Sequence, residues 1–152
     1  MKYSDLLADW LVEAGYTTCF FLAGGNIMHI LESCSRKLKM VPVVHEVAAG
    51  IAVEYFNETN TNEKAFAMVT AGPGLTNIIT ALGGAYLESR ELLVIGGQVK
   101  TADLARGKLR QNGIQEIDGV ALAKPVCVLS TLMDHVVPQD KFIAMAKAGS
   151  SG

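Results

Sequence analysis

Short apolar, β-branched segments alternate with helical segments along nearly all of this chain, and the first four end in glycine or in an acid. Residues 17–22, 41–45, 65–70, 92–95 and 126–129 read as strands. Residues 4–14, 27–33, 46–56, 75–87 and 138 to about 148 read as helices. Strands that alternate with helices in this way predict a three-layer α/β/α architecture, a mainly parallel sheet with helices on both faces. In the first helix Leu7, Trp10, Leu11 and Ala14 fall on one face, with Ser4 to cap it and Gly15 to end it. Pro42 lacks a backbone donor, so its strand belongs at an edge or begins there. Residues 98–119 are polar and lack core periodicity. They read as a long surface loop with one short helical turn, and long loops in compact domains are often functional.

The chain has 152 residues, one domain's worth, and half of them are hydrophobic. A domain of that size buries roughly 70% of its unfolded surface, so a real core is expected. A charged fraction of only 18% excludes a disordered, solvated chain. The net charge of −2, with both signs interspersed, argues against nucleic acid and against a membrane surface as partners. No apolar run reaches the roughly 18 residues of a membrane span. Asp5 and Asp9 interrupt the place where a secretory signal would need an apolar block. Cys19, Cys34 and Cys127 are odd in number and unclustered, which reads as reduced thiols in a cytoplasmic protein. Residues 149–152 have a flexible composition, either a cloning scar or a native loop cut before another strand.

In a parallel sheet, ligands gather at the carboxyl ends of the strands. Four segments fall there: Ala23-Gly24-Gly25-Asn26, His45-Glu46, Thr70-Ala71-Gly72-Pro73-Gly74 and Gly96-Gly97-Gln98. Glu46 stands between an apolar strand and an apolar helix. Partial burial there favours a carboxyl that shares a proton, although the same position also suits an acid that simply opposes a helix dipole. Gly72-Pro73-Gly74-Leu75-Thr76-Asn77 is a near miss to the dinucleotide fingerprint, with Asn77 in place of the third glycine. Its glycines permit either close ligand approach or a tight turn. Neither a phosphate loop, a nucleophile elbow nor a metal-ligand spacing occurs, and His29, His45 and His135 are scattered.

Five of these segments, taken in order, resemble a known family. They are Phe20-Phe21-Leu22-Ala23-Gly24-Gly25, His45-Glu46-Val47-Ala48-Ala49-Gly50, Thr70 through Asn77, Gly96-Gly97-Gln98-Val99 and Ile114-Gln115-Glu116. Together they look like the N-terminal pyrimidine-binding domain of thiamine diphosphate-dependent enzymes of the acetolactate synthase and pyruvate oxidase type, here spanning residues 1–148. The resemblance implies a cofactor, thiamine diphosphate. It implies that Glu46 is catalytic, bonding N1′ of the cofactor's aminopyrimidine and sharing a proton with it. Thr70, Pro73 and Asn77 would lie beside that ring, Gln115 would reach in from the long loop, and Gly24 and Gly25 would let the first loop pass close.

The family's loop of proline and two glycines reads Ala23-Gly24-Gly25 here, the residue after the glutamate is Val47, and the aromatic before Gln-Glu is Ile114. These departures bear on the substrate. No motif here matches the family's second domain, which holds magnesium and the diphosphate. The resemblance therefore implies the first part of an enzyme acting on 2-keto acids, inactive alone, whose partners are the diphosphate-binding domain and a second copy of the chain in a dimer or tetramer. Two other readings of the residues stand beside it: a noncatalytic regulatory or oligomerisation module that keeps the fold, and a dinucleotide-binding domain.

Overall fold

A computed structural model of the chain describes residues 2–151. The elements run α1 (Tyr3–Glu13), β1 (Tyr16–Phe21), α2 (Met28–Ser35), β2 (Lys39–Pro42), α3 (Glu46–Thr59), β3 (Lys64–Val69), α4 (Pro73–Glu88), β4 (Val94–Gly96), α5 (Gly119–Ala123) and α6 (Gln139–Ala146). The four strands among the described residues are all parallel, in the order β2-β1-β3-β4. Helices flank both faces, as the alternation in the sequence requires.

Strand β3 shows how the two cores divide. Phe66 and Met68 point into one, with Leu11, Cys19, Cys34 and Phe142 from β1 and helices α1, α2 and α6. Ala65, Ala67 and Val69 point into the other, with Ala49, Val53, Ile78 and Ala81 from α3 and α4. This is the period of two expected of a strand buried on both faces. The small side chains on the second face let α3 and α4 lie close to the sheet and to each other. A Cβ on Gly50 would stand 2.3 Å from the Cβ of Ala81, so the two helices touch at a point only glycine can occupy.

The strand order matters for function. After β1 the chain moves outward to β2, then returns across β1 to build β3 and β4. The connections leaving β1 and β3 therefore go to opposite faces, and a crevice opens where they part. In open α/β sheets, that switch point is where ligands bind.

Several sequence expectations are corrected. Residues 126–129 are not a strand: Lys124–Val126 is a 3-10 turn, and Cys127 is extended (φ −136°, ψ 143°) without a ladder partner. Val126 and Cys127 pack against the second core, which explains their apolar character without strand pairing. Ser4 does not cap α1; it sits in the first turn, and Asp5 accepts the Lys2 backbone N–H at 3.0 Å. The one short helical turn expected in the polar stretch is a 3-10 turn at Thr101–Asp103, and helix α5 follows where that stretch ends. Strand β2 begins earlier than expected and ends at Pro42, although the Val43 N–H still donates to the Phe21 carbonyl at 2.9 Å. Residues Ala148–Ser151 form a 3-10 turn in which the Ser150 hydroxyl donates to Glu91 and accepts from Lys64, at 2.7 and 3.1 Å. Gly152 lies outside the described residues.

The α3–α4 contact makes a direct prediction. Gly50→Ala will destabilise the fold by about 1–3 kcal/mol through overpacking, despite alanine's better helix propensity. Gly83→Ala in α4, where a Cβ would meet nothing within 4 Å, will stabilise by up to about 1 kcal/mol. Urea denaturation of the two variants measures the difference, and equal effects would contradict the close packing.

Candidate functional site

Glu46 is the first residue of α3. His45 precedes it as the N-cap, its Nδ1 accepting the Val47 N–H at 3.2 Å. That bond satisfies one of the free donors at the helix start. Glu46 is only 5% exposed. A charge this buried needs partners, and the N-terminal end of a helix supplies favourable potential. Asn77, one turn into α4, donates from Nδ2 to Glu46 Oε2 at 2.9 Å. Oε1 has no hydrogen-bond partner among the described residues. It lies over Gly74, where a Cβ would stand 3.5 Å away. One oxygen is thus fixed and the other is left as an open acceptor.

Thr70 closes β3 at the base of this site. Among the described residues its Oγ1 is the one buried side-chain polar atom without a hydrogen bond. Leaving such a group unpaired costs about 1–3 kcal/mol. Gly24, in the connection after β1, lies directly against it: a Cβ there would sit 2.4 Å from Thr70 Oγ1. Gly25 is exposed, and a Cβ on it would meet nothing within 4 Å. Gly72 adopts φ +61°, a left-handed conformation that glycine accepts without strain. That turn swings the chain from Thr70 into α4, with Pro73 exposed at the first helical position. Gln115 packs on the same turn: its carbonyl oxygen would be 2.8 Å from a Cβ on Gly72.

The structure therefore brings Glu46, Asn77, Thr70 and Gly24 to the crevice between β1 and β3. Pro73 and Gln115 stand on its rim, and Gly25 faces away from Thr70 along the loop. That loop also borders a groove of 570 Å³ lined by Phe21, Met28, Leu31 and Met40; neither Glu46 nor Thr70 lines it. The sequence reading missed the part played by Gly74, whose bare backbone makes room for both Glu46 and Thr70. Gln98, which the sequence set at the carboxyl end of a strand, donates to the Ile117 carbonyl at 2.9 Å and ties down the long loop. The Gly-Pro-Gly spacing carried a signal for the part played by Gly74; nothing in the sequence pointed to the bond from Gln98 to Ile117.

The residues fit a flat, nitrogen-rich ring. An open carboxylate oxygen, an unpaired hydroxyl and glycine-lined walls suit such a group, and the crevice stands at the switch point. Among the described residues no group of three His, Cys, Asp or Glu is placed to hold a metal ion. Among the described residues no helix is long and apolar enough to cross a membrane.

Comparison with known proteins agrees with the fold. Residues 1–122 match the family described as thiamine pyrophosphate enzyme, N-terminal TPP binding domain. The chain belongs to that family. It is 34% identical over 153 aligned positions to 2-hydroxyacyl-CoA lyase 2 of Danio rerio, covering 97% of this chain and 24% of the relative. It is 35% identical to the protein of the same name from Caenorhabditis elegans, over 97% of this chain and 23% of that one. The acetolactate synthase large subunit IlvG of Mycobacterium tuberculosis is 33% identical over 127 positions, 83% of this chain and 22% of the relative. The chain thus spans about a quarter of the length of these relatives.

The Glu46–Asn77 bond can be tested without any ligand. Asn77→Asp sets a second carboxylate against Oε2 and will cost about 1–3 kcal/mol of stability at neutral pH, more than Asn77→Ala. Chemical denaturation of the two variants measures this. An aspartate variant as stable as the wild type would show that the two side chains do not meet.

Proposed function

We propose that the chain is the pyrimidine-binding part of a thiamine diphosphate-dependent enzyme that makes or breaks a carbon–carbon bond beside a carbonyl, as a lyase or a transferase. The observation that carries this is the buried Glu46 carboxylate, with one oxygen held by Asn77 and the other open. When bound, thiamine diphosphate supplies a carbon nucleophile that adds to a carbonyl. Glu46 Oε1 holds and returns the proton at the ring nitrogen N1′. Asn77 keeps the carboxyl pointed at that nitrogen, so little orientation is lost when the ring enters. Thr70 and Pro73 border the ring, and Gly24 and Gly25 let the first loop approach it. Gln115 would reach toward the active site from the long loop.

The substrate reading covers 2-keto acids and, from the names of the lyase relatives, 2-hydroxyacyl thioesters. Both present a carbonyl next to the bond concerned. A diphosphate-binding domain elsewhere in the protein would hold the magnesium and the cofactor's other end, and the chain alone would be inactive. The outer face of α3 supports a second copy as partner. Val44 just before it is 95% exposed, and Ile51 and Tyr55 are about half exposed. An apolar stripe of this kind usually marks an interface. A homodimer or tetramer in the cytoplasm is the assembly we propose.

Two measurements check this. Glu46→Gln in the full-length protein will slow exchange of the C2 proton of bound thiamine diphosphate by about 10²–10⁴-fold, while leaving the fold intact by circular dichroism. Unchanged exchange would remove Glu46 from its role. Tyr55→Glu on the outer face of α3 will shift the full-length protein toward monomer in solution scattering, and a wild-type assembly would exclude that face from the interface.

A further inference from the structure

One side chain draws the two limbs of the long loop together. Glu116 Oε1 accepts the Ala105 N–H at 2.6 Å, and Oε2 accepts those of Asn112 and Gly113 at 2.9 and 3.1 Å. These donors lie on both limbs of the loop, either side of the exposed segment 106–110. A single carboxylate thus closes a stretch that has almost no core of its own. Charge-assisted bonds to backbone N–H groups are among the stronger hydrogen bonds. The donors, Asn112 foremost and then Ala105, hold the Glu116 carboxyl below the usual carboxylate range. Its stabilising contribution is therefore present at neutral pH and lost only as pH falls through that lowered value.

What the closed loop presents is Gln115. That residue has φ +61°, a conformation that costs a non-glycine residue free energy and persists only where its surroundings enforce it. Its carbonyl oxygen and Cβ would lie 2.8 and 2.9 Å from a Cβ on Gly72, the turn that carries the chain from Thr70 to Asn77. Gln98, bonded to the carbonyl of Ile117, anchors the other side of the same short run. The strained residue is thus pinned between the Gly72 turn and the Glu116 clasp.

We infer that Glu116 is a positioning residue: by drawing residues 105, 112 and 113 onto one carboxylate, it seats Gln115 against the Gly72 turn at the rim of the Glu46 site. What Gln115 does there rests on the function proposed above; the seating itself does not. Glutamine at 116 keeps one acceptor oxygen and turns its amide NH2, itself a donor, toward backbone donors, so it cannot serve both limbs.

The experiment uses the full-length protein and the variants Glu116→Gln, Gln115→Ala and the double variant. Amide hydrogen exchange is read first, without cofactor. Glu116→Gln will speed exchange at Ala105, Asn112 and Gly113 at least tenfold and leave the amides of β3 unchanged. Wild-type protection at those three amides would overturn the clasp. Thiamine diphosphate affinity is read second. Glu116→Gln and Gln115→Ala will each weaken binding, and the double variant will bind no worse than Gln115→Ala alone, because Glu116 acts through Gln115. Additive losses would overturn the positioning role. A wild-type protein that fails to bind thiamine diphosphate would overturn the functional proposal instead, and the amide data would still decide the seating of Gln115.

Discussion

The bond from Asn77 to Glu46 joins the N-terminal ends of two neighbouring helices, and the site depends on it. A buried carboxylate is tolerated only where something compensates its lost hydration. Here the compensation comes from the start of α3 and from one amide donor, and it stops short of saturating the group. Full satisfaction would give a structural ion. Partial satisfaction leaves one oxygen beside Gly74 without a hydrogen-bond partner among the described residues, and the proposed function rests on that oxygen.

That arrangement requires α3 and α4 to sit close and in register. The Gly50–Ala81 contact sets how near they come, and the small residues on one face of β3 let both helices approach the sheet. At the other end, the left-handed turn at Gly72 aims α4 so that Asn77 reaches Glu46. The parallel topology then places the connection after β1 opposite, where Gly24 seals against Thr70. Core packing, a turn conformation and strand order thus converge on one crevice, and Glu116 extends the same logic to the loop that borders it.

Much of this was legible in the sequence because it follows from local rules. The start of α3 at Glu46 followed from an acid set directly after an apolar strand, whereas α4 begins at Pro73, two residues before the expected Leu75, because the proline's fixed φ suits a first helical position. Period-two burial in β3 followed from a strand buried on both sides. The segment 126–129 misled because β-branched residues that pack on a core look the same whether or not a strand lies beside them. The Glu46–Asn77 bond was not readable as a contact, since the two residues stand 31 apart in sequence. The Glu116 clasp was hidden for a different reason: its acceptor is a side chain but all its donors are backbone, and backbone donors leave no mark on residue identity.

The account turns on where the free oxygen of Glu46 points when a ring is present. A crystal structure of the full-length protein with thiamine diphosphate measures this most directly. The account predicts Glu46 Oε1 within hydrogen-bond reach of N1′, about 2.6–3.2 Å, with Oε2 still held by Asn77. A cofactor ring seated elsewhere, or a Glu46 carboxylate turned out to solvent, would contradict it.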